Sequence, residues 1–244
     1  MLLWGAAGCG KTTLAATSPG KKLFIQFDPG GSKVIANRND SIVLDLSDQP
    51  PAITDRLKSE NPLGIEKFIT ENNIGTVVVD SLTTLSRLAL ENGIRLGAYK
   101  GSSIEAPGLQ AYQHRNNQVL EIVKQLMRST GKLRVNIVFI AHEDKPEVND
   151  AGVVLYITLM LGGALPEYSA INIDEVWWMQ DAGKERRIAI RPVRTRKPMK
   201  SRMFLMNGEP EFAWKYDADA LTGSTIEAWY NSFVATGQRI PIPK

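Results

Sequence analysis

The sequence predicts an α/β fold: a mostly parallel twisted sheet, helices on both faces, and an antiparallel C-terminal edge. Three observations predict it. Short apolar runs alternate with longer helix-compatible segments. "GTVVVD" (75–80) and "RVNIVFIAH" (134–142) are continuous apolar runs of the kind central parallel strands carry. Late in the chain, "INIDEVWWMQ" (171–180), "RRIAIRPVRT" (186–195) and "SRMFLMN" (201–207) read as successive strands joined by turns. With 244 residues, no internal repeat and no linker-like stretch, one domain over 1–244 is expected.

Taken in order, "MLLW" (1–4) is a strand entering a glycine-rich loop, and a helix opens at Lys11. "KLFIQF" (22–27) and "SIVLDL" (41–46) are strands. "GIEKFITENN" (64–73) carries Ile65, Phe68 and Ile69 at the three-and-four spacing of a helix face. "SLTTLSRLALENGIRLG" (81–97) is a helix, followed by a Gly/Ser/Pro break at 98–108. "LQAYQHRNNQVLEIVKQLMRST" (109–130) is a long helix with Gly131 as its expected C-cap. Residues 143–169 form a long mixed insertion, and 222–237 a final helix. Trp4, Trp177 and Trp178 are expected as core or interface aromatics.

Composition is that of an ordinary globular chain: 43% hydrophobic, 23% charged, net charge +3. The single cysteine, Cys9, excludes an internal disulfide and is consistent with a reducing, cytoplasmic setting. Two histidines and one cysteine, far apart, do not make a zinc site. The first residues have no basic-then-apolar leader pattern, and the most apolar stretch (152–166) is too short to span a membrane. The positive charge is concentrated: residues 184–202 hold nine Lys/Arg and one acid.

"GAAGCGKTT" (5–13) fits G-x-x-x-x-G-K-[ST] between a strand and a helix. In such a loop Gly5, Ala6, Ala7, Gly8, Cys9, Gly10, Lys11, Thr12 and Thr13 wrap phosphate oxygens with backbone N–H groups. Lys11 sets a cation on the β/γ phosphates, and Thr12 offers a hydroxyl to Mg²⁺. ATP with Mg²⁺ is the expected ligand. Asp80 ends a buried strand at the edge where ligands bind, so it is a second Mg²⁺ residue; capping the next helix is the alternative.

"VVVDSLTTL" (77–85) resembles the Asp-Ser strand end of the RecA recombinase family, where other P-loop branches place Glu after the Asp. The resemblance implies a RecA-like core and ATP hydrolysis. It also implies a water-activating carboxylate at the end of the next strand, here Asp28 of "FIQFDPGG" (24–31), where the family usually carries Glu. A turn role before Pro29-Gly30 is the plainer alternative for Asp28. "NIVFIAHEDK" (136–145) matches the strand ending in a polar γ-phosphate sensor, which places His142 there; a structural histidine is the alternative. The insertion 143–169 would then contact DNA, with Leu155, Tyr156 or Leu161 against bases, or would pack on a neighbouring subunit. "KSR" (200–202) is similar to the Lys-x-Arg pair that reaches a neighbour's ATP in RecA-fold assemblies, which assigns Lys200 and Arg202 to catalysis in trans. The arginines upstream serve DNA, assembly or a solvated edge strand.

With only four residues before Gly5, the chain looks like the compact, core-only RecA-like ATPases of bacteriophages, including the Sak-type single-strand annealing proteins. That implies single-stranded DNA, a ring or filament with ATP at subunit interfaces, and cooperation with a single-strand binding protein in a bacterial host's cytoplasm. Subunits would join through surfaces other than an N-terminal segment, or the gene start is trimmed. The rival expectations are a RecA-fold helicase or motor, and a nucleotide-gated assembly module with weak turnover.

Overall fold

The computed structural model describes residues 1–36, 38–96, 107–205, 208–218 and 220–243. In chain order its elements are β1 (Leu2–Gly5), α1 (Lys11–Ala15), β2 (Lys21–Gln26), β3 (Ser41–Asp45), α2 (Ile53–Leu57), α3 (Ile65–Glu71), β4 (Ile74–Asp80) and α4 (Leu82–Arg95). They continue with α5 (Leu109–Lys132), β5 (Asn136–His142), β6 (Glu147–Val148), β7 (Val154–Tyr156), α6 (Leu165–Ile171), β8 (Val176–Asp181), β9 (Arg186–Ala189) and β10 (Glu211–Trp214). The chain closes with β11 (Tyr216–Asp217), β12 (Thr222–Gly223) and α7 (Ile226–Thr236).

Among the described residues one sheet has the order β10-β9-β8-β1-β5-β4-β2-β3. From β8 to β3 every pairing is parallel, while β9 and β10 are antiparallel at the edge, as expected. Side chains alternate between two cores, because successive residues of a strand point to opposite faces. Leu2, Trp4, Ile25, Val77, Val79, Phe139 and Trp178 pack under the helices α2 to α6. Leu3, Phe24, Val78, Ile140, Trp177 and Met179 pack against α1, α7 and the C-terminal strands. Trp4, Trp177 and Trp178 are core residues in this chain.

Trp177 is the keystone of the second face. Its rings lie 5.6 Å from Phe204 and 5.8 Å from Trp229, and its Nε1 donates to Glu175 Oε2 at 2.8 Å. Trp177→Ala is expected to cost about 3–5 kcal/mol, a cavity effect. Thermal unfolding is the measurement, with a Tm lower by about 10 °C.

Several boundaries differ from the sequence expectation. α5 runs through Gly131 to Lys132, and the left-handed residue that turns the chain is Arg134 (φ 55). The run 186–195 is a strand only to Ala189, since Pro192 has no N–H to give a ladder. Residues 201–205 form no strand beyond one bridge, Phe204 to Ile240; 206 and 207 lie outside the described residues. The first half of 171–180 is the end of α6 and a loop, with the strand beginning at Val176. The insertion 143–169 contains the β6–β7 hairpin and the start of α6. Within it Leu161 is buried at 2% exposure under α4 and α5, so it is not available to stack on a base, whereas Leu155 is half exposed. The break expected at 98–108 lies mostly outside the described residues. No described helix is long and apolar enough to cross a membrane.

Candidate functional site: a phosphate loop with a carboxylate and histidine beside it

The strand order sets the site. β5 lies between β1 and β4, and the register puts Gly5 level with His142, and Asp80 level with Gln26 on β2 and Ile140 on β5. The carboxyl ends of four adjacent strands therefore bring the phosphate loop, His142, Asp80 and Asp28 to one edge. Asp28 stands two residues past the end of β2, carried forward by a bond from Phe27 N to Asp80 O (2.6 Å).

The loop itself needs its glycines. Gly5 has φ 150, and a Cβ there would meet the Met179 carbonyl oxygen at 2.1 Å. Gly10 has φ 98 and is covered by the side chain of Arg186. Lys11 is buried, and its Nζ donates to the carbonyls of Gly5 (3.0 Å) and Ala6 (2.7 Å). The loop's own oxygens satisfy the ammonium. Cys9 is buried beside it; burial pushes its thiol up while Lys11 pulls the other way, so it packs as a small neutral side chain.

Thr12 Oγ1 donates to Asp80 Oδ2 at 2.7 Å. This hydroxyl and carboxylate are hard oxygen donors, and a site with one carboxylate plus phosphate oxygens suits Mg²⁺. Among the described residues no cluster of three or more His, Cys, Asp or Glu could hold a metal ion by itself. Burial pushes the Asp80 carboxyl up and nearby Asp28 adds to the rise, although Thr12 opposes it.

Just above the ordinary carboxylate range, folded Asp80 holds a proton that the unfolded chain has released. Stability is therefore lost as pH rises through the raised Asp80 range. Asp80→Asn is expected to raise the Tm of the ligand-free protein at pH 7, by about 2–4 °C per kcal/mol of penalty removed. The same variant is expected to lose the extra stabilisation that Mg²⁺ gives to a bound nucleotide; calorimetry with and without Mg²⁺ checks both.

Asp28 is held from three sides. Thr84 Oγ1 donates to its Oδ1, His142 Nε2 faces its Oδ2 at 3.2 Å, and Ser81 adds a further hydroxyl contact. Burial pushes Asp28 up, but these contacts outweigh it and hold the carboxyl below the usual carboxylate range. Asp28 is thus an ionised carboxylate with a fixed direction. The backbone of His142 is fixed too, its N–H donating to Thr83 Oγ1 at 2.9 Å. The hydroxyls of Ser81, Thr83 and Thr84, none of which the sequence assigned a contact in the site, clamp its two polar groups. Ser81 also caps α4, accepting from Thr84 N at 3.3 Å. Three hydroxyl residues within four positions of a site carboxylate, with only Leu82 between them, are the signal that could have found them.

Glu143 was missed altogether. Its N–H donates to Gly5 O (3.0 Å), its Oε2 accepts from Trp178 Nε1 (2.6 Å), and its Oε1 lies 3.5 Å from Arg196. It ties the tip of β5 to the phosphate-loop strand.

Lys200 and Arg202 lie elsewhere. Lys200 bridges to Val176, at the end of β8 that is level with Leu2 rather than with Gly5. Its Nζ donates to Ile171 O, and Arg202 pairs with Asp174 at 2.7 Å with 67% of its side chain exposed. They do not join this subunit's own loop.

Fold and loop together define a P-loop nucleotide-binding ATPase domain. A family model described as an AAA domain matches residues 1–183, three quarters of the chain, and the chain belongs to that family. No curated protein matches it.

Proposed function

We propose that this ATPase is RecA-like in mechanism: it binds single-stranded DNA and couples ATP hydrolysis to annealing or strand exchange, as the compact phage recombination proteins do. The observation that carries the reading is the junction between the nucleotide edge and an exposed apolar hairpin. His142 faces Asp28, and its carbonyl accepts from Met160 N (2.8 Å); two residues on, Asp144 N donates to Thr158 O (2.8 Å). The β6–β7 hairpin between them exposes Val148, Val153 and Leu155. Beside it runs a groove of about 650 Å³ lined by Arg87, Arg115, Pro29, Thr84 and Met160, among others. Apolar tips for bases next to arginines for phosphates are what a single strand needs.

In hydrolysis, Asp28 accepts the proton of the water whose oxygen attacks the γ-phosphorus, as the bond to the ADP oxygen breaks. Lys11 balances charge on the β/γ oxygens. Thr12 and Asp80 hold Mg²⁺, which neutralises phosphate charge when bound. A γ-phosphate oxygen competes with Asp28 for the His142 ring nitrogen, so loss of phosphate returns the ring to Asp28 and couples nucleotide state to the hairpin that follows β5. Lys200 and Arg202 serve the next subunit's ATP in a ring or filament, and a single-strand binding protein supplies the DNA.

The test is ATPase rate with and without single-stranded DNA at low salt, beside electron microscopy of the same mixtures. Stimulation with filaments or open rings supports the reading. No DNA binding sinks it, and closed rings that unwind duplexes replace it with a helicase. One feature favours a slower device: Asp28 already has three partners, and a carboxylate so fully engaged suits a nucleotide-gated binding module with weak turnover.

A further inference from the structure

We propose that Arg186 is a nucleotide-binding residue of this same subunit, reading the α- and β-phosphates from outside the loop; the proposal rests on the phosphate-loop reading above. In the sequence Arg186 is one of nine basic residues in 184–202, with nothing to separate it from the others. The fold separates it. β9 runs antiparallel to β8, so its first residue sits opposite Asp181, at the same edge of the sheet as Gly5. Strand alternation then puts Arg186 on the face of Ile188 and α1, over the loop.

The contact is close. A Cβ built on Gly10 would meet Arg186 Cδ, Nε and Nη1 at 3.0 Å each. Gly10 is the residue before Lys11, in the part of the loop whose backbone N–H groups cradle the α- and β-phosphates. Behind the guanidinium stands Trp214, its register partner on β10, with the ring centroid 6.0 Å from Arg186 Cζ. Trp214 is itself fixed, donating from Nε1 to Ser224 O (2.9 Å) and stacked on Tyr216 at 5.3 Å.

Charge singles the residue out further. Its neighbour Arg187 pairs with Glu185 and Glu211, Arg196 with Glu143, and Arg202 with Asp174. Among the described residues Arg186 has no carboxylate within ion-pair distance and no hydrogen-bond partner. A guanidinium held by an aromatic ring, unneutralised and against an anion cradle, is a ready fork for phosphate oxygens.

Arg186→Met keeps the stem that packs on Trp214 and removes the charge. Titration calorimetry of wild type and variant with Mg-ADP and with a non-hydrolysable Mg-ATP analogue is the test. The expected result is a loss of affinity of about 10- to 100-fold, similar for both nucleotides. A variant that binds both as wild type does overturns the proposal, as does a loss confined to the triphosphate, which would move the residue to the γ position. Wild type that binds neither nucleotide overturns the loop reading itself. If Arg186→Met does not fold, phenylglyoxal labelling of the wild-type protein decides instead. Saturating ADP is expected to protect Arg186 from modification, and an unprotected Arg186 at full ADP occupancy overturns the proposal.

Discussion

Asp28→Asn is expected to lower ATP turnover by about 10³-fold, the scale of a lost general base, while nucleotide affinity stays near that of wild type. Steady-state hydrolysis and nucleotide titration measure the two quantities separately. The substitution keeps an acceptor for Thr84 and the shape of the side chain, so the geometry of the α4 clamp survives. It removes the carboxylate charge that faces His142. Asp is a methylene shorter than the Glu usual in the RecA family that this stretch resembles. It stands two residues beyond the end of β2, at the carboxyl edge of the sheet. Turnover that survives Asp28→Asn would shift attention to another acid. Glu143 is a poor substitute, because Trp178 and Arg196 already engage both of its oxygens.

Arg202→Ala is expected to lower turnover by about 10³- to 10⁵-fold if its guanidinium completes the next subunit's site. Its distance from its own phosphate loop makes the direction of action testable. An Arg202→Ala subunit has an intact Asp28, and an Asp28→Asn subunit has an intact Arg202. Mixing the two inactive proteins is expected to restore hydrolysis at the interfaces where an intact Asp28 meets an intact Arg202. An inactive mixture of folded proteins that demonstrably co-assemble removes Arg202 from the role. The Arg202 pair with Asp174 is exposed and holds little energy, so breaking it leaves the fold in place.

Much of the architecture is readable from pattern alone. Continuous runs such as Val77–Val79 and Ile137–Ala141 can be satisfied only with both faces covered, and both faces are. The loop motif names its own chemistry because its spacing is local. The clamp around Asp28 is a different matter. Thr84 is 56 residues from Asp28 and His142 is 114 away, and only strand order makes them neighbours. Polar contacts at such separation leave no periodic trace. Helix α6 escaped notice because it carries Pro166 in its first turn and closes within seven residues, too short for a helical period to stand out. Leu161 was misread for a related reason: an apolar residue in a loop carries no mark of which way it turns. Arg186 shows the same limit in charge, since nine cations spread over residues 184–202 look alike until their carboxylates are known.

Trp178 gives the protein an optical reporter of its own. Its indole N–H rests on Glu143, the residue after His142, and Arg196 lies 4.3 Å above its ring. A cation and a carboxylate so near an indole shift and quench its emission whenever they move. Any rearrangement that starts at the phosphate and reaches the tip of β5 passes through this contact. Fluorescence from a chain with Trp178 kept and its more distant tryptophans replaced would follow each nucleotide cycle in real time, with no label attached.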